Sequence, residues 1–464
     1  MQNSQIDLMD NLFSVDTTNE KNRFLKANSS IPQASLILKA DPLIIATFSH
    51  NRHQYCNFCL KQKDSLLKCG KCLTLHYCSS DCQRQDWTLH KKECLVYQKI
   101  GQKPTKITNQ FMFILRGYLK YQENKDDFCK KIDQMVSNAD SFPEEKLQFF
   151  QDIALMLIKY HEDQSKIDAT SFISFIRTFA SKIMVNAFTI YNNDNDTIAA
   201  ALYSPSNFIN HSCDPNAIVI YKGKKQCIYS LKPLEKDQEI TVSYCSYIKP
   251  LYDRHKYLLE NYFFECTCSR CQKDLSGCDT TLTCQKCKEN SITQKGVESF
   301  ICEKCSKDWT LQEIYLMDQN INKLKADMGT QKLQDRIKSW QKLKGLISDD
   351  SGHYSEIYEI ISRTYIAEEK FDEAFASDKA LLKKMKKWYI PGDPAIGWKY
   401  LELAKLASAL TNYDKSREYA ELGLKILDKY YLLEEMPDFK ELILDIQNNF
   451  QYSMNYDALG NFKN

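Results

Sequence analysis

Residues 207 to 216 read "NFINHSCDPN", an apolar pair followed by an amide, an imidazole, a hydroxyl and a thiol in succession. Groups of this kind form a site only if something holds them rigid, and the thiols supply a candidate. Cys266, Cys268 and Cys271 in "FECTCSRC" are three metal ligands, one short of the four that a tetrahedral zinc takes. Cys213 can be the fourth. A zinc shared across that sequence distance would clamp Asn210 and His211 beside the chain that follows "ITVSY", residues 240 to 244.

Two further clusters are local. Cys56, Cys59, Cys69, Cys72, Cys78, Cys82, His90 and Cys94 follow C-x2-C-x9-C-x2-C-x5-C-x3-C-x7-H-x3-C, enough ligands for two closed, structural zinc sites. With so small an apolar core, these residues take most of their folding free energy from metal. Cys284, Cys287, Cys302 and Cys305, spaced C-x2-C-x14-C-x2-C, make a self-sufficient zinc ribbon. Four zinc ions are therefore expected. Of the 19 cysteines, Cys129, Cys227, Cys245 and Cys278 are left over, and Cys227 and Cys245 read as small core residues in β-type runs.

At 464 residues the chain is long enough for several cores. Its net charge of +2 gives no overall basic field for nucleic acid. Between positions 51 and 100, nine Lys and Arg stand against four Asp and Glu, a local excess that suits a solvated face or a weak nucleic-acid contact. The start "MQNSQIDLMDNLFSVDTTNE" has no basic-then-apolar leader, and no apolar run approaches the ~20 residues that cross a bilayer. A soluble protein of a reducing compartment is expected, in which dense Cys pairs mean metal rather than disulfides.

Residues 1 to 20 read as disordered. Residues 21–50 alternate short β-prone runs with turn residues, 51–98 hold the first cysteine cluster, and 99–184 carry helical spacing. β-type patterns return over 185–250, so one β domain is interrupted by the cluster and the helices. Residues 251–308 are the second cysteine-rich segment, and 309–464 are helical. There "EKFDEAFASDKALLKKM" and "TNYDKSREYAELGLKIL" resemble one another 42 residues apart, which suits a helical-repeat array or an ordinary bundle. The fold class is α+β.

"NHSCDPN", then "ITVSY", then "FECTCSRC", with "YCSSDCQRQDWTLHKKEC" upstream, together resemble the SET and MYND domain (Smyd) family of protein-lysine methyltransferases. The resemblance covers roughly residues 20 to 464, including "PGDP" at 391 to 394. The extra Cys pairs after Cys271 are similar to a divergent Smyd4-type and insect branch. The resemblance implies a SET β fold split by a MYND finger and a helical insertion, a zinc-binding post-SET segment and a TPR-like C-terminal domain. It pairs the finger's ligands as Cys56, Cys59, Cys78 and Cys82 on one ion and Cys69, Cys72, His90 and Cys94 on the other. It makes Tyr244 catalytic, and puts Asn210, His211, Asn186 and Phe264 on S-adenosylmethionine. Phe188 and Tyr262 would line the lysine channel, and Gln83 and Trp87 would bind proline-rich peptides. A monomer acting on histone or other protein in nucleus or cytoplasm, away from membranes, follows from the same resemblance.

One departure matters. The family's Gly-x-Gly before Leu-Arg-Ala aligns with Asn22, Arg23 and Phe24 before Leu25, Lys26 and Ala27. Glycine there lets backbone approach the cofactor closely. Its loss keeps a second reading open, a catalytically inactive adaptor that binds partners through the finger and the C-terminal helices.

Overall fold

A computed structural model describes residues 12–18, 22–101, 107–123, 126–160, 165, 167–192, 196–289, 291–330, 333–348 and 351–430. Strand β1 (Phe13–Thr18) runs antiparallel to β2 (Asn22–Ala27), with Val15 opposite Leu25. This corrects the expectation of a disordered start for residues 13 to 18: "FSVDTT" is β-prone and finds an open strand edge to pair with. Strands β3 (Leu36–Ala40) and β4 (Ile44–Thr47) follow, and every side chain of β4 is buried.

The chain then leaves the sheets. Strands β5 (Leu67–Lys68) and β6 (His76–Tyr77) and helix α1 (Ser80–Ile100) form the finger. Ser79 caps α1 by accepting the Cys82 N–H. Helices α2 (Asn109–Gln122), α3 (Asp126–Asp133), α4 (Glu144–Tyr160) and α5 (Ala169–Val185) make the insertion.

Strands before and after this excursion share sheets. β7 (Phe188–Tyr191) and β8 (Thr197–Leu202) join β4 in the order β4-β8-β7. After β9 (Asn210–His211), strands β10 (Ala217–Lys222) and β11 (Lys225–Ser230) join β3 in the order β10-β11-β3. The interrupted β domain is thus one folded unit of small sheets.

Finger, insertion and sheet meet at a buried guanidinium. Arg116 of α2, 4% exposed, donates to Asp86 and Glu93 of α1 and, through Nη1, to the Ile45 carbonyl of β4 at 3.0 Å. A buried charge is tolerated only when paired in this way, so one arginine bolts three modules together.

Past β12 (Thr241–Val242) come α6 (Leu251–Tyr262) and α7 (Ser269–Leu275). Strands β13 (Cys278–Thr283), β14 (Ser291–Gln294), β15 (Phe300–Cys302) and β16 (Lys307–Trp309) form one sheet in chain order. Leu282, Ile292 and Phe300 of this ribbon share an apolar core with Ile314, Ile321 and Met328 of α8 (Leu311–Thr330). The ribbon is therefore built into the base of the C-terminal helices.

Helices α9 (Leu333–Lys344), α10 (Tyr354–Ala367), α11 (Phe371–Trp388), α12 (Pro394–Ala409) and α13 (Tyr413–Leu427) complete the described chain. The two repeat copies seen in the sequence start α11 and α13, each the second member of a helix pair. At Gly423 a Cβ would lie 2.9 Å from the Gly397 carbonyl oxygen, so only glycine lets α12 and α13 approach this closely. Residues 431–464, read as helical from sequence, lie outside the described residues.

Candidate active site and metal centres

The opening stretch and "ITVSY" meet as parallel strands, β9 against β12, with Asn210 opposite Thr241 and His211 opposite Val242. Side chains lock the register. Asn216 Nδ2 donates to the Glu239 carbonyl at 2.8 Å while its Oδ1 accepts the Thr241 N–H at 2.8 Å. Asn210 Nδ2 donates to Glu239 Oε1 at 2.9 Å. Tyr244 leaves the end of this pair held at two points, its N–H donating to His211 Nδ1 at 2.9 Å and its hydroxyl to the Ile209 carbonyl at 2.6 Å.

A cluster of thiols stands beneath. The sulfurs of Cys213, Cys266, Cys268 and Cys271 lie within 4.8 Å of one another, with Cys213 3.5 Å from Cys271 and 3.9 Å from Cys266. Four thiolates in a closed set are what zinc selects, and together with the ion they carry net negative charge. Arg254, 1% exposed, answers it with Nη2 3.9 Å from Cys271 Sγ and 2.6 Å from Asp274. Arg270 ties the cluster to the pocket, Nη1 donating to the carbonyls of Cys213 at 2.9 Å and Tyr247 at 2.5 Å.

Cys245 is not the ordinary core residue its sequence context suggests. It is half-buried just after Tyr244 and, with His211 and Cys213, forms a second group whose ligand atoms lie within 4.8 Å. The chain bends after β12, which turns this thiol onto the metal cluster. Cys227, by contrast, is a fully packed residue of β11.

Aromatic rings surround Tyr244. The Tyr262 ring centroid lies 4.7 Å away, His211 5.4 Å and Phe264 6.5 Å, and Phe264 lies 6.0 Å from His211. Each keeps part of its surface open, as residues lining a pocket do. Burial pushes His211 down to about 4, so its ring is neutral. With Nδ1 accepting from Tyr244, the ring proton sits on Nε2, 3.2 Å from Cys213 Sγ. Burial likewise pushes the Tyr244 and Tyr262 hydroxyls up, so both stay protonated.

His211, Tyr244, Tyr262 and Phe264 thus converge, with Asn210 next to His211 in β9 donating to Glu239. Asn186 and Phe188 have their hydrogen-bond and ring partners elsewhere. Asn186 spends its amide on the carbonyls of Lys182 at 2.7 Å and Val136 at 2.9 Å, closing the end of α5. Phe188 packs on Tyr203 at 5.9 Å in a separate core. Other groups were given no binding role by the sequence reading. Arg23 lies 4.4 Å over the Phe208 ring and meets no carboxylate among the described residues. Ser206 Oγ and both amide atoms of Asn207 are buried without a protein partner.

The finger's ligands group as Cys56, Cys59, Cys78, Cys82 and as Cys69, Cys72, His90, Cys94, while Cys284, Cys287, Cys302 and Cys305 form the ribbon's group. His90 Nε2 faces Cys72 Sγ at 3.7 Å and its Nδ1 faces Glu93 at 3.4 Å. That carboxylate orients a metal-bound imidazole, and Arg116 holds the carboxylate. Gln83 and Trp87 lie one turn apart and half-buried on α1, Trp87 edge-on to His90 at 5.9 Å.

The MYND finger family model matches residues 56–94. Mouse "Histone-lysine N-methyltransferase SMYD3" is 27% identical over 262 residues, covering 55% of this chain and 60% of that protein. Xenopus laevis "N-lysine methyltransferase SMYD2-B" is 28% identical over 261 residues, with the same two shares. The chain thus spans about 60% of the length of these curated relatives. A crystal structure of the SET domain of LSMT bound to lysine and AdoHcy overlaps at 11% identity and a TM-score of 0.33, over 94% of this chain and 88% of that one. Residues 56–94 thus match a MYND finger, and over 55% of its length the chain is similar to SET and MYND domain proteins.

Proposed function

We propose that the protein is an S-adenosylmethionine-dependent protein-lysine N-methyltransferase. The observation that carries this reading is the placement of Tyr244, fixed at both its N–H and its hydroxyl within a ring of Tyr262, His211 and Phe264. The residues present fit the cofactor. The orphaned Ser206 and Asn207 groups and the Arg23 guanidinium offer donors to its polar end, and Phe264 beside His211 offers an aromatic face to its base. When bound, S-adenosylmethionine supplies a methyl group on a sulfonium centre.

The chain's own residues prepare the amine. A lysine with an ordinary pKa near ~10.4 arrives as an ammonium and must lose a proton to become nucleophilic. The aromatic enclosure favours the neutral form by withholding water. Tyr244 commits its proton to Ile209, which leaves its oxygen lone pairs to accept an amine N–H and aim the nitrogen lone pair. His211 keeps the tyrosine in place through its main-chain N–H.

The test is methyl incorporation by the zinc-loaded full chain into a lysine-centred peptide library, Ac-XXKXX-NH2. Tyr244→Phe should lower kcat by about a hundredfold or more while leaving cofactor affinity unchanged. Equal rates for the two proteins would remove Tyr244 from the chemistry.

A second reading, an inactive adaptor, draws on Arg23 and Phe24, which stand in β2 where the resemblance expects glycines. It requires that a proline-rich peptide bind with loss in Trp87→Ala but not in Tyr244→Phe, and that S-adenosylmethionine not bind. The histone or other protein substrate, a monomeric state and residence in nucleus or cytoplasm belong to the same proposal. No described helix is long and apolar enough to cross a membrane.

A further inference from the structure

Five thiols, not four, gather beside the pocket. Cys213, Cys266, Cys268 and Cys271 make a complete zinc set. Cys245 reaches the same place from the neighbouring strand, its Sγ within 4.8 Å of Cys213 Sγ and of a His211 ring nitrogen. The backbone is fixed on both sides of this pair. The Ser212 N–H donates to the Val242 carbonyl at 2.9 Å, Arg270 Nη1 holds the Cys213 carbonyl at 2.9 Å, and Ser243 Oγ donates to the Cys245 carbonyl at 2.7 Å. Cys213 is fully buried, whereas Cys245 is half-buried and so open to a small solute.

We propose that Cys245 is an oxidation site whose sulfur takes Cys213 away from the zinc by forming a Cys213–Cys245 disulfide. The oxidant is a peroxide. The Cys245 sulfur attacks one peroxide oxygen, the O–O bond breaks, and a sulfenic acid forms while the thiol proton leaves with the first water. Cys213 then attacks the sulfenic sulfur, exchanging its bond to zinc for the S–S bond, and the displaced hydroxide takes a proton from solvent to become the second water. Two electrons pass from the sulfur pair to the peroxide. Cys266, Cys268 and Cys271 are left one ligand short of a tetrahedron. The same step reaches the pocket, because Cys213 Sγ accepts from His211 Nε2 at 3.2 Å while His211 Nδ1 accepts the Tyr244 N–H at 2.9 Å. Loss of cofactor binding on oxidation rests on the methyl-transfer reading; the loss of zinc does not.

The zinc-loaded full chain is treated with hydrogen peroxide and followed by zinc release to a chromogenic chelator and by peptide-mapping mass spectrometry. Wild type should release its first zinc equivalent at least about tenfold faster than Cys245→Ser, with a Cys213–Cys245 cross-linked peptide growing in at the same rate. A thiol reductant with added zinc should restore the lost equivalent. Reduced Cys245→Ser should bind as much zinc as wild type, since the set of four is complete without that thiol. Equal release from the two proteins, a disulfide from Cys245 to some other cysteine, or a reduced variant short of one ion overturns the proposal. Reduced wild type that binds no S-adenosylmethionine defeats the methyl-transfer reading and leaves the disulfide result standing, whereas oxidised, cross-linked protein that binds it as well as reduced protein removes the oxidative control of the pocket.

Discussion

The MYND finger and the post-SET cluster use the same ligands to opposite ends. Every ligand of the finger lies between Cys56 and Cys94, so its two ions order one continuous stretch of chain. The post-SET cluster takes Cys213 from one segment and Cys266, Cys268 and Cys271 from another, so its ion joins pieces that local folding would never bring together. A local metal site makes a domain; a long-range one makes a pocket. The sharpest way to break the comparison is to remove one thiol from each. Cys213→Ser should abolish S-adenosylmethionine binding in a calorimetric titration, while Cys56→Ser should unfold the finger yet change cofactor affinity by less than about threefold. Equal losses in the two variants would mean that the clusters do not divide the work in this way.

The finger is nevertheless attached to the β domain, and the attachment can be weakened selectively. Glu93→Gln leaves Arg116 short of one carboxylate partner, a loss expected to cost about 3–5 kcal/mol of stability in chemical denaturation. A variant as stable as wild type would show that Asp86 and the Ile45 carbonyl alone suffice for the guanidinium. A smaller effect sharpens the boundary of the pocket. Asn186→Ala removes two side-chain hydrogen bonds at the end of α5 and should cost about 1 kcal/mol with cofactor affinity unchanged. A selective fall in affinity at unchanged stability would place Asn186 on the cofactor after all.

What could be read from sequence follows the range of the interactions. The C-x2-C pairs were legible because one tight turn fixes two sulfurs whatever the rest of the chain does. The link from Cys213 to the distant triad could be inferred only because three ligands ask for a fourth. Strand β1 was missed because "FSVDTT" becomes a strand only when β2 offers its edge. Cys245 was misplaced because its β-like neighbours conceal a bend that turns the thiol onto the cluster. The triad of Arg116, Asp86 and Glu93 likewise exists only once finger and insertion are packed.

The central claim is that the thiol-clamped pocket around Tyr244 holds S-adenosylmethionine without the glycines that the family ordinarily places there. Isothermal titration of the zinc-loaded full chain with that compound tests it directly. One equivalent bound, with affinity preserved in Tyr244→Phe and lost in Cys213→Ser, is the result expected. Wild type that takes up no cofactor, with all four zinc ions in place, would contradict it.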